Sequence, residues 1–286
     1  MEGCYNAQLS RRSSKAVRNR ILQKEEKGPE YTRKEGDDTV TYQDTTKTYE
    51  KEYTIRSIEM DSEYRLKKTE VARFFQETFA LCCKDHKVAA FDIIGQNLIW
   101  VLAQMKIEYT GEMPKWSEDI TVKFWFSEIG KLKIFAEFEI VSNKEVVAKG
   151  DSIWFILNAE TKRPVCPMPT LESMPVNEEI VFSQHTKFVN PEGGVLINKA
   201  NYKVGIFDID FNHHLNNLRY IYFAIRTLAE AFLRTKTIKS FAVQFKKECF
   251  LDDEIESSAF RKSENNIYFI LTRKSETVCV IDMEIC

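Results

Sequence analysis

The stretch "DSEYRLKKTEVARFFQETFA", beginning at Asp61, lies over "DFNHHLNNLRYIYFAIRTLA", beginning at Asp210, without a gap. Leu66 meets Leu215, and Phe74 meets Phe223. Such self-similarity restricts a chain more than its composition does, because both copies must form the same supersecondary unit. Each copy passes from a polar stretch into helical periodicity. Val71, Phe74, Phe75, Thr78 and Cys82 share a face of the first predicted helix, and Leu218, Ile221, Ile225, Leu228 and Phe232 a face of the second. Aromatic residues on the flanks predict that both helices are largely buried.

Strand-forming runs follow each helix. The first copy supplies "NLIWVLAQMKIEY", "ITVKFWFSEIGKLKIFAEFEIV" and "EVVAKGDSIWFILN", and the second "KSFAVQFKKECF", "EIESSAFRKS", "NIYFILTRKS" and "TVCVIDMEIC". Short turns such as "SEIGK" and "KSENN" between these runs predict antiparallel hairpins. The expected fold class is α+β, with two tandem hot-dog domains, each a long central helix wrapped by an antiparallel β-sheet. The copies are placed at residues 52–163 and 197–286. Between them, residues 164–196 form a linker with Pro164, Pro167, Pro169 and Pro175. Residues 1–51 are polar and are expected to be a disordered tail, with a transit peptide as the alternative.

The 286-residue chain has a net charge of −2, so no global charge calls for nucleic acid as a partner. Seven Cys without a CxxC pair, beside four His, argue against a structural zinc site and for free thiols in a reducing compartment. No apolar run reaches the ~18 residues of a membrane span. Neither a phosphate-binding Gly-rich loop nor a metal cluster is visible, so no cofactor and no metal are expected.

The second copy opens on "FDIDFNHHLNNLRYIYF", residues 207–223. In an extended backbone Asp208, Asp210, Asn212 and His214 would project to one side, and Phe207, Ile209, Phe211, His213 and Leu215 to the other. The apolar set would anchor the segment while the polar set lines a cavity. Asn216 or Asn217 is suited to cap the helix that begins near Leu218. The amino end of that helix carries a partial positive charge, suited to polarising a carbonyl. Imidazole exchanges protons near neutral pH, which makes His214 a candidate base or orienting group. Asn212, donor and acceptor together, could hold a water or a carbonyl. The first copy has Glu63 and Arg65 at the positions of Asn212 and His214, and a guanidinium cannot act as a base, so one working site per chain is expected.

"DIDFNHHLNNLRYI" follows the pattern D-x-D-x-N-x-H-x-N-N-x-x-Y, and "KKECFLDDEI" follows it at a distance. The first copy contributes "LIWVLAQMKIEY", "MPKWSEDITV" and "SIWFILNAETKRP". On these residues the chain resembles the acyl-ACP thioesterases of plants and bacteria, over roughly residues 52–286. His213 stands where Gln is common in that family, and the spacing points to His214 as the functional imidazole.

The resemblance implies hydrolysis of a fatty acyl-ACP thioester, with Asp210, Asn212 and His214 in the catalytic set. It leaves Glu248 and Cys249 as two candidates for the activating group. In a regular strand Cys249 shares its face with Phe241, Val243 and Phe245, and Glu248 lies opposite with Ala242, Gln244 and Lys246. A thiol in apolar company stays protonated, so Glu248 is favoured over Cys249. Phe74, Phe75, Phe79, Trp100 and Met105 are candidate lining for an acyl pocket in the first copy. The implied partner is an acidic acyl carrier protein, for which Lys131, Lys133, Arg234, Lys236, Lys239, Lys246, Lys247, Arg261 and Lys262 offer basic surface. A homodimer is left open. The expected compartment is the cytoplasm of a bacterium, or the plastid stroma if the source is a plant. An acyl-CoA thioesterase, a hot-dog hydratase or dehydratase, and a non-enzymatic acyl-binding module are the competing readings.

Overall fold

A computed structural model describes residues 47–187, 192–229, 232 and 235–286. The expectations for residues 1–46 and for Arg234 fall outside them. Ten strands form one antiparallel sheet in the order β1-β3-β4-β5-β2-β7-β10-β9-β8-β6. The first half holds β1 (Tyr49–Thr54), β2 (Leu98–Tyr109), β3 (Asp119–Ile129), β4 (Ile134–Ser142) and β5 (Glu145–Asn158). The second holds β6 (Val195–Lys203), β7 (Ile238–Phe245), β8 (Glu254–Ser263), β9 (Asn266–Arg273) and β10 (Glu276–Ile285). Read outward from the central β2–β7 pair, both halves have the same strand order, and Gln104 pairs with Gln244 at the junction. β1 starts ahead of the expected boundary at 52, and β6 starts just before 197.

Helix α1 (Val71–Asp85) packs on the first half, with Phe75 stacked on Phe138 of β4 and Phe79 against Phe124 and Phe126 of β3. Its predicted face of Val71, Phe74, Phe75, Thr78 and Cys82 is buried throughout. Helix α2 (Asn217–Arg226) is shorter and packs on β8, β9 and β10. The gap-free repeat reappears in the hydrogen bonds. Tyr53 and Thr78 hydroxyls meet at 3.0 Å in one half, and Tyr202 and Thr227 hydroxyls at 3.4 Å in the other. Phe74 packs edge-on to Tyr53, while Phe223 stacks on Tyr202.

The linker is a strap rather than a free spacer. After a helical turn at Pro169–Glu172, it crosses the sheet face opposite α1. Trp125, Glu137, Asp151 and Lys106 form one cross-strand row there. The Trp125 indole N–H donates to the Glu179 carbonyl (2.8 Å), the Val181 N–H to the Glu137 carboxylate (3.1 Å), and the Thr186 N–H and hydroxyl to Asp151 (2.7 and 2.9 Å). Gln104 closes the strap by donating to the Thr186 carbonyl at 2.7 Å. Two buried acids, invisible to hydrophobic patterning, are thus matched by linker donors.

Burial, aided by Asp151 opposite it, raises the Glu137 carboxyl from the ordinary 4.5 to about 7, against the Val181 N–H and Ser127 hydroxyl that favour the anion. A carboxyl whose folded pKa is raised contributes stability that is complete below about pH 4.5 and lost as the pH rises through about 7. Glu137→Gln should therefore flatten this part of the stability profile, by about 3 kcal/mol across the window. Urea denaturation of both proteins at pH 4.5, 6 and 8 reads the difference; parallel profiles would refute the assignment.

Candidate active site

The segment ahead of α2 is a folded turn, not the extended strand that the alternation of side chains predicts. Asp210 N–H donates to the His214 carbonyl at 2.9 Å, and His213 N–H to the Asp210 carbonyl at 3.0 Å. Asp210 Oδ1 accepts from the backbone of Asn212 (2.8 Å) and His214 (3.4 Å). His213 takes a left-handed φ of 63° to close the turn. An Asp that bonds to backbone two residues on offers an alternative to the extended chain, and here it prevails. The same bonds recur at Asp61–Arg65, where Asp61 Oδ1 accepts from Glu63 and Arg65 and Tyr64 has φ 61°.

The turn changes the roles of the apolar residues. Phe207 and Phe211 are 90% and 57% exposed, so they do not anchor the segment. Leu215 does: it is buried, bridges Ile209, and donates its N–H to the Cys249 carbonyl at 2.8 Å. Asn216 is the helix cap, its Oδ1 accepting from the Leu218 N–H at 2.9 Å.

Asp210, Asn212, His214 and Glu248 nevertheless come together, lining one polar cleft of about 520 Å³. His214 Nε2 lies 3.4 Å from Glu248 Oε2. Strand β7 ends at Phe245, and the N–H groups of Lys246 and Lys247 both donate to the Val278 carbonyl. The regular alternation used to separate Glu248 from Cys249 therefore does not apply. Their separation survives for another reason: Glu248 is on the cleft wall, 35% exposed, while Cys249 is fully buried behind it.

Burial shapes the charge states. It lifts the Asp210 carboxyl above the usual range, against the opposing N–H groups of Asn212 and His214 and the neighbouring imidazoles. Burial also holds His214 below the ordinary imidazole value; Glu248 and Asp210 pull it up, while Lys162 and His213 push it down. The Cys249 thiol is raised by burial, with the Tyr220 hydroxyl and Arg273 opposing.

Lys162 is the residue that sequence reasoning missed. It comes from the turn after β5, in the first half, and its Nζ donates to both Glu248 oxygens at 3.1 and 3.3 Å. It sits inside the quoted "SIWFILNAETKRP", but only the fold carries it across to the other half. Lys246 and Lys247 line the same cleft.

A second cavity of about 270 Å³ adjoins the first, sharing Trp100, Leu102, Asp210, Asn212 and Asn217 with it. Its other walls combine Phe79, Ala80, Cys83, Ala90, Ile94 and Trp154 with the polar Arg73, Gln76, Glu77 and Asn216. Of the expected acyl-pocket residues, Phe79 and Trp100 line it. Phe74, Phe75 and Met105 do not; they are buried in the core, Phe74 against Tyr53 and Phe75 against Phe138. Periodicity marks a buried residue without telling which side of the helix has an opening beside it.

In the first copy Arg65 is engaged with Glu112. Among the described residues, no group of three or more His, Cys, Asp and Glu could hold a metal ion, and no helix is long and apolar enough to cross a membrane.

Two family models match the chain: the acyl-ACP thioesterase N-terminal domain over residues 46–170, and the acyl-ACP thioesterase C-terminal domain over residues 196–284. A chloroplastic acyl-[acyl-carrier-protein] hydrolase of Cuphea viscosissima is 25% identical over 232 residues, covering 74% of this chain and 54% of that protein. A chloroplastic oleoyl-acyl carrier protein thioesterase of Arabidopsis thaliana is 21% identical over 249 residues, covering 79% and 66%. The chain spans about half the length of the first of these relatives. Two solved structures share the fold: an acyl-ACP thioesterase from Bacteroides thetaiotaomicron (21% identity, TM-score 0.75, covering 84% of this chain and 98% of that one) and a 12:0-ACP thioesterase from Umbellularia californica (17%, 0.76, 84% and 97%).

Proposed function

This chain belongs to the acyl-ACP thioesterase family, and from that premise we propose that it hydrolyses the thioester between a fatty acyl group and acyl carrier protein, releasing the free acid. The observation that carries the reading is the seam where Asp210 and Asn212 belong at once to a polar cleft and to an apolar cavity. A thioester carbonyl placed there has its chain in one and its carrier arm in the other.

Glu248 is the general base in this reading, taking a proton from water as the oxygen attacks the carbonyl carbon. His214, beside it at 3.4 Å, relays that proton to the departing sulfur as the C–S bond breaks. Depression of its proton affinity by burial keeps the imidazole neutral and ready to accept. Asn212 and the amino end of α2 supply donors to the developing oxyanion. Asp210 acts by holding the turn, since its carboxylate accepts the N–H groups of Asn212 and His214.

The labour is divided between the halves: residues 52–163 house the acyl chain, residues 197–286 carry the catalytic groups, and the linker as far as Thr186 straps the first half. The rim formed by Lys162, Lys246 and Lys247 suits an acidic carrier protein. The reaction belongs in the cytoplasm of a bacterium or the stroma of a plastid.

Purified protein incubated with acyl-ACPs and the matching acyl-CoAs should release free acid from the carrier-protein thioesters and little from the CoA thioesters. Preferential release from CoA would transfer the activity to acyl-CoA hydrolysis. Folded protein that releases neither would be a binding module.

A further inference from the structure

Three aromatic rings line the apolar cavity: Trp100 also lines the cleft, whereas Phe79 and Trp154 do not. Phe79 of α1 stacks on Trp154 of β5 with centroids 3.9 Å apart and planes 2° apart, and Trp100 of β2 meets both edge-on. The indole N–H of Trp100 is engaged by the Val88 carbonyl, and that of Trp154 by the Ser152 hydroxyl, both at 2.8 Å. Both indole donors are thus satisfied elsewhere, and the rings offer hydrocarbon surface. Phe79 and Trp154 are buried, whereas Ile94 and Phe211, also on the walls, are exposed. The cavity therefore runs from a solvent-side lip to a closed aromatic end.

Its capacity is limited. A water molecule's share of liquid volume is ~30 Å³, a fair measure of one methylene, so 270 Å³ holds about nine of them. Scaling instead from a 150 Å³ cavity that admits the six carbons of benzene gives about eleven.

Resting on the thioesterase reading above, we infer that this chain selects medium-length acyl groups, with about nine to eleven carbons beyond the reacting carbonyl, and that the Phe79–Trp154 wall sets the limit. A chain that exceeds the cavity leaves its surplus methylenes in water. Each then forfeits about 0.8 kcal/mol, or roughly fourfold in kcat/KM. Chains shorter than the cavity lose binding by the same increment.

The test is kcat/KM for saturated acyl-ACPs of increasing length, with wild type and two variants. Wild type should peak at about ten to twelve carbons in all and fall roughly fourfold per methylene on either side. Ala80→Leu adds three carbons to a helical wall position where Leu is well tolerated, and should shorten the optimum by about two to three carbons. Trp154→Leu removes the aromatic end and should lengthen it. Because Trp154 is core and its replacement risks the fold, Ala80→Leu, at an exposed position, carries the test independently. Equal cleavage of chains about five methylenes past the limit, or an optimum unmoved by Ala80→Leu, would overturn the length assignment and leave the thioesterase reading standing. Failure of folded protein to cleave any length would remove the thioesterase reading and this inference with it.

Discussion

Glu248→Ala is expected to lower kcat by about 100- to 10,000-fold, while Cys249→Ala keeps substantial turnover. The two residues are adjacent in sequence, yet the end of β7 at Phe245 leaves them in different surroundings. Glu248 lines the cleft, bonded to Lys162 and 3.4 Å from the His214 imidazole. Cys249 has no exposed surface, and burial raises its thiol, so the thiolate that would attack a thioester is scarce. What Cys249 does contribute is its carbonyl, which accepts the Leu215 N–H and fixes the end of the turn ahead of α2. Alanine retains that carbonyl. Glu248→Gln keeps the shape of the glutamate and removes its basicity, so its loss should match that of the alanine variant. Release of acid from acyl-ACP measures all three, and mass spectrometry of quenched enzyme looks for an acyl adduct. Inactive Cys249→Ala together with an acyl-cysteine in wild type would put nucleophilic attack by Cys249, with His214 and Asn212 beside it, in place of water attack.

The reach of the sequence is clearest at the turn. The spacing of Asp210, Asn212 and His214 picks out residues that line one cleft, but through an alternation the backbone does not follow. They converge because Asp210 binds its own backbone and His213 adopts a left-handed φ, features that belong to turn chemistry rather than to strand period. The duplicate turn at Asp61–Arg65 could have signalled this, since "DSEYRL" begins with an Asp suited to the same bonds. α1 is legible because its apolar face is long and regular. Phe75 and Met105 show the limit of such patterns, since core and cavity wall have the same composition. Lys162 and the strap over Glu137 and Asp151 depend on contacts between residues distant in sequence, which no local period encodes.

In the proposed reading Lys162 also accounts for a single site per chain. The first half supplies the cation beside Glu248, and the second supplies the turn and Glu248 itself. In the first copy the equivalent turn carries Arg65, which is engaged with Glu112. Each half has therefore kept the fold's frame while contributing different side chains to the cleft. The cleft is built between them, next to the β2–β7 junction that makes ten strands one sheet.

Gly150→Ala is expected to cost about 3 kcal/mol or more of folding stability, lowering Tm by about 6 to 12 °C. Gly150 lies in β5, between Phe138 of β4 and Ile107 of β2, in the row that faces α1. A Cβ there would lie 2.6 Å from the Lys106 carbonyl and 2.7 Å from the Phe75 ring. The ring could tilt, but it is fully buried and stacked on Phe138, and the carbonyl is backbone in the neighbouring strand. A glycine inside a strand at such a close approach is what lets the helix sit down on the sheet. Gly95→Ala is the control, because a Cβ there meets nothing within 4 Å, and it should leave Tm unchanged or slightly higher. Phe75→Leu in the Gly150→Ala background should recover part of the loss, since it relieves the ring but not the carbonyl. The consequence extends to selectivity: Phe79 and Ala80 lie just beyond Phe75 on α1, so a helix lifted off β5 widens the apolar cavity, and surviving folded enzyme should accept longer chains. If Gly150→Ala melts with wild type, α1 is not seated as closely as these distances require, and the cavity's volume loses its claim to set chain length.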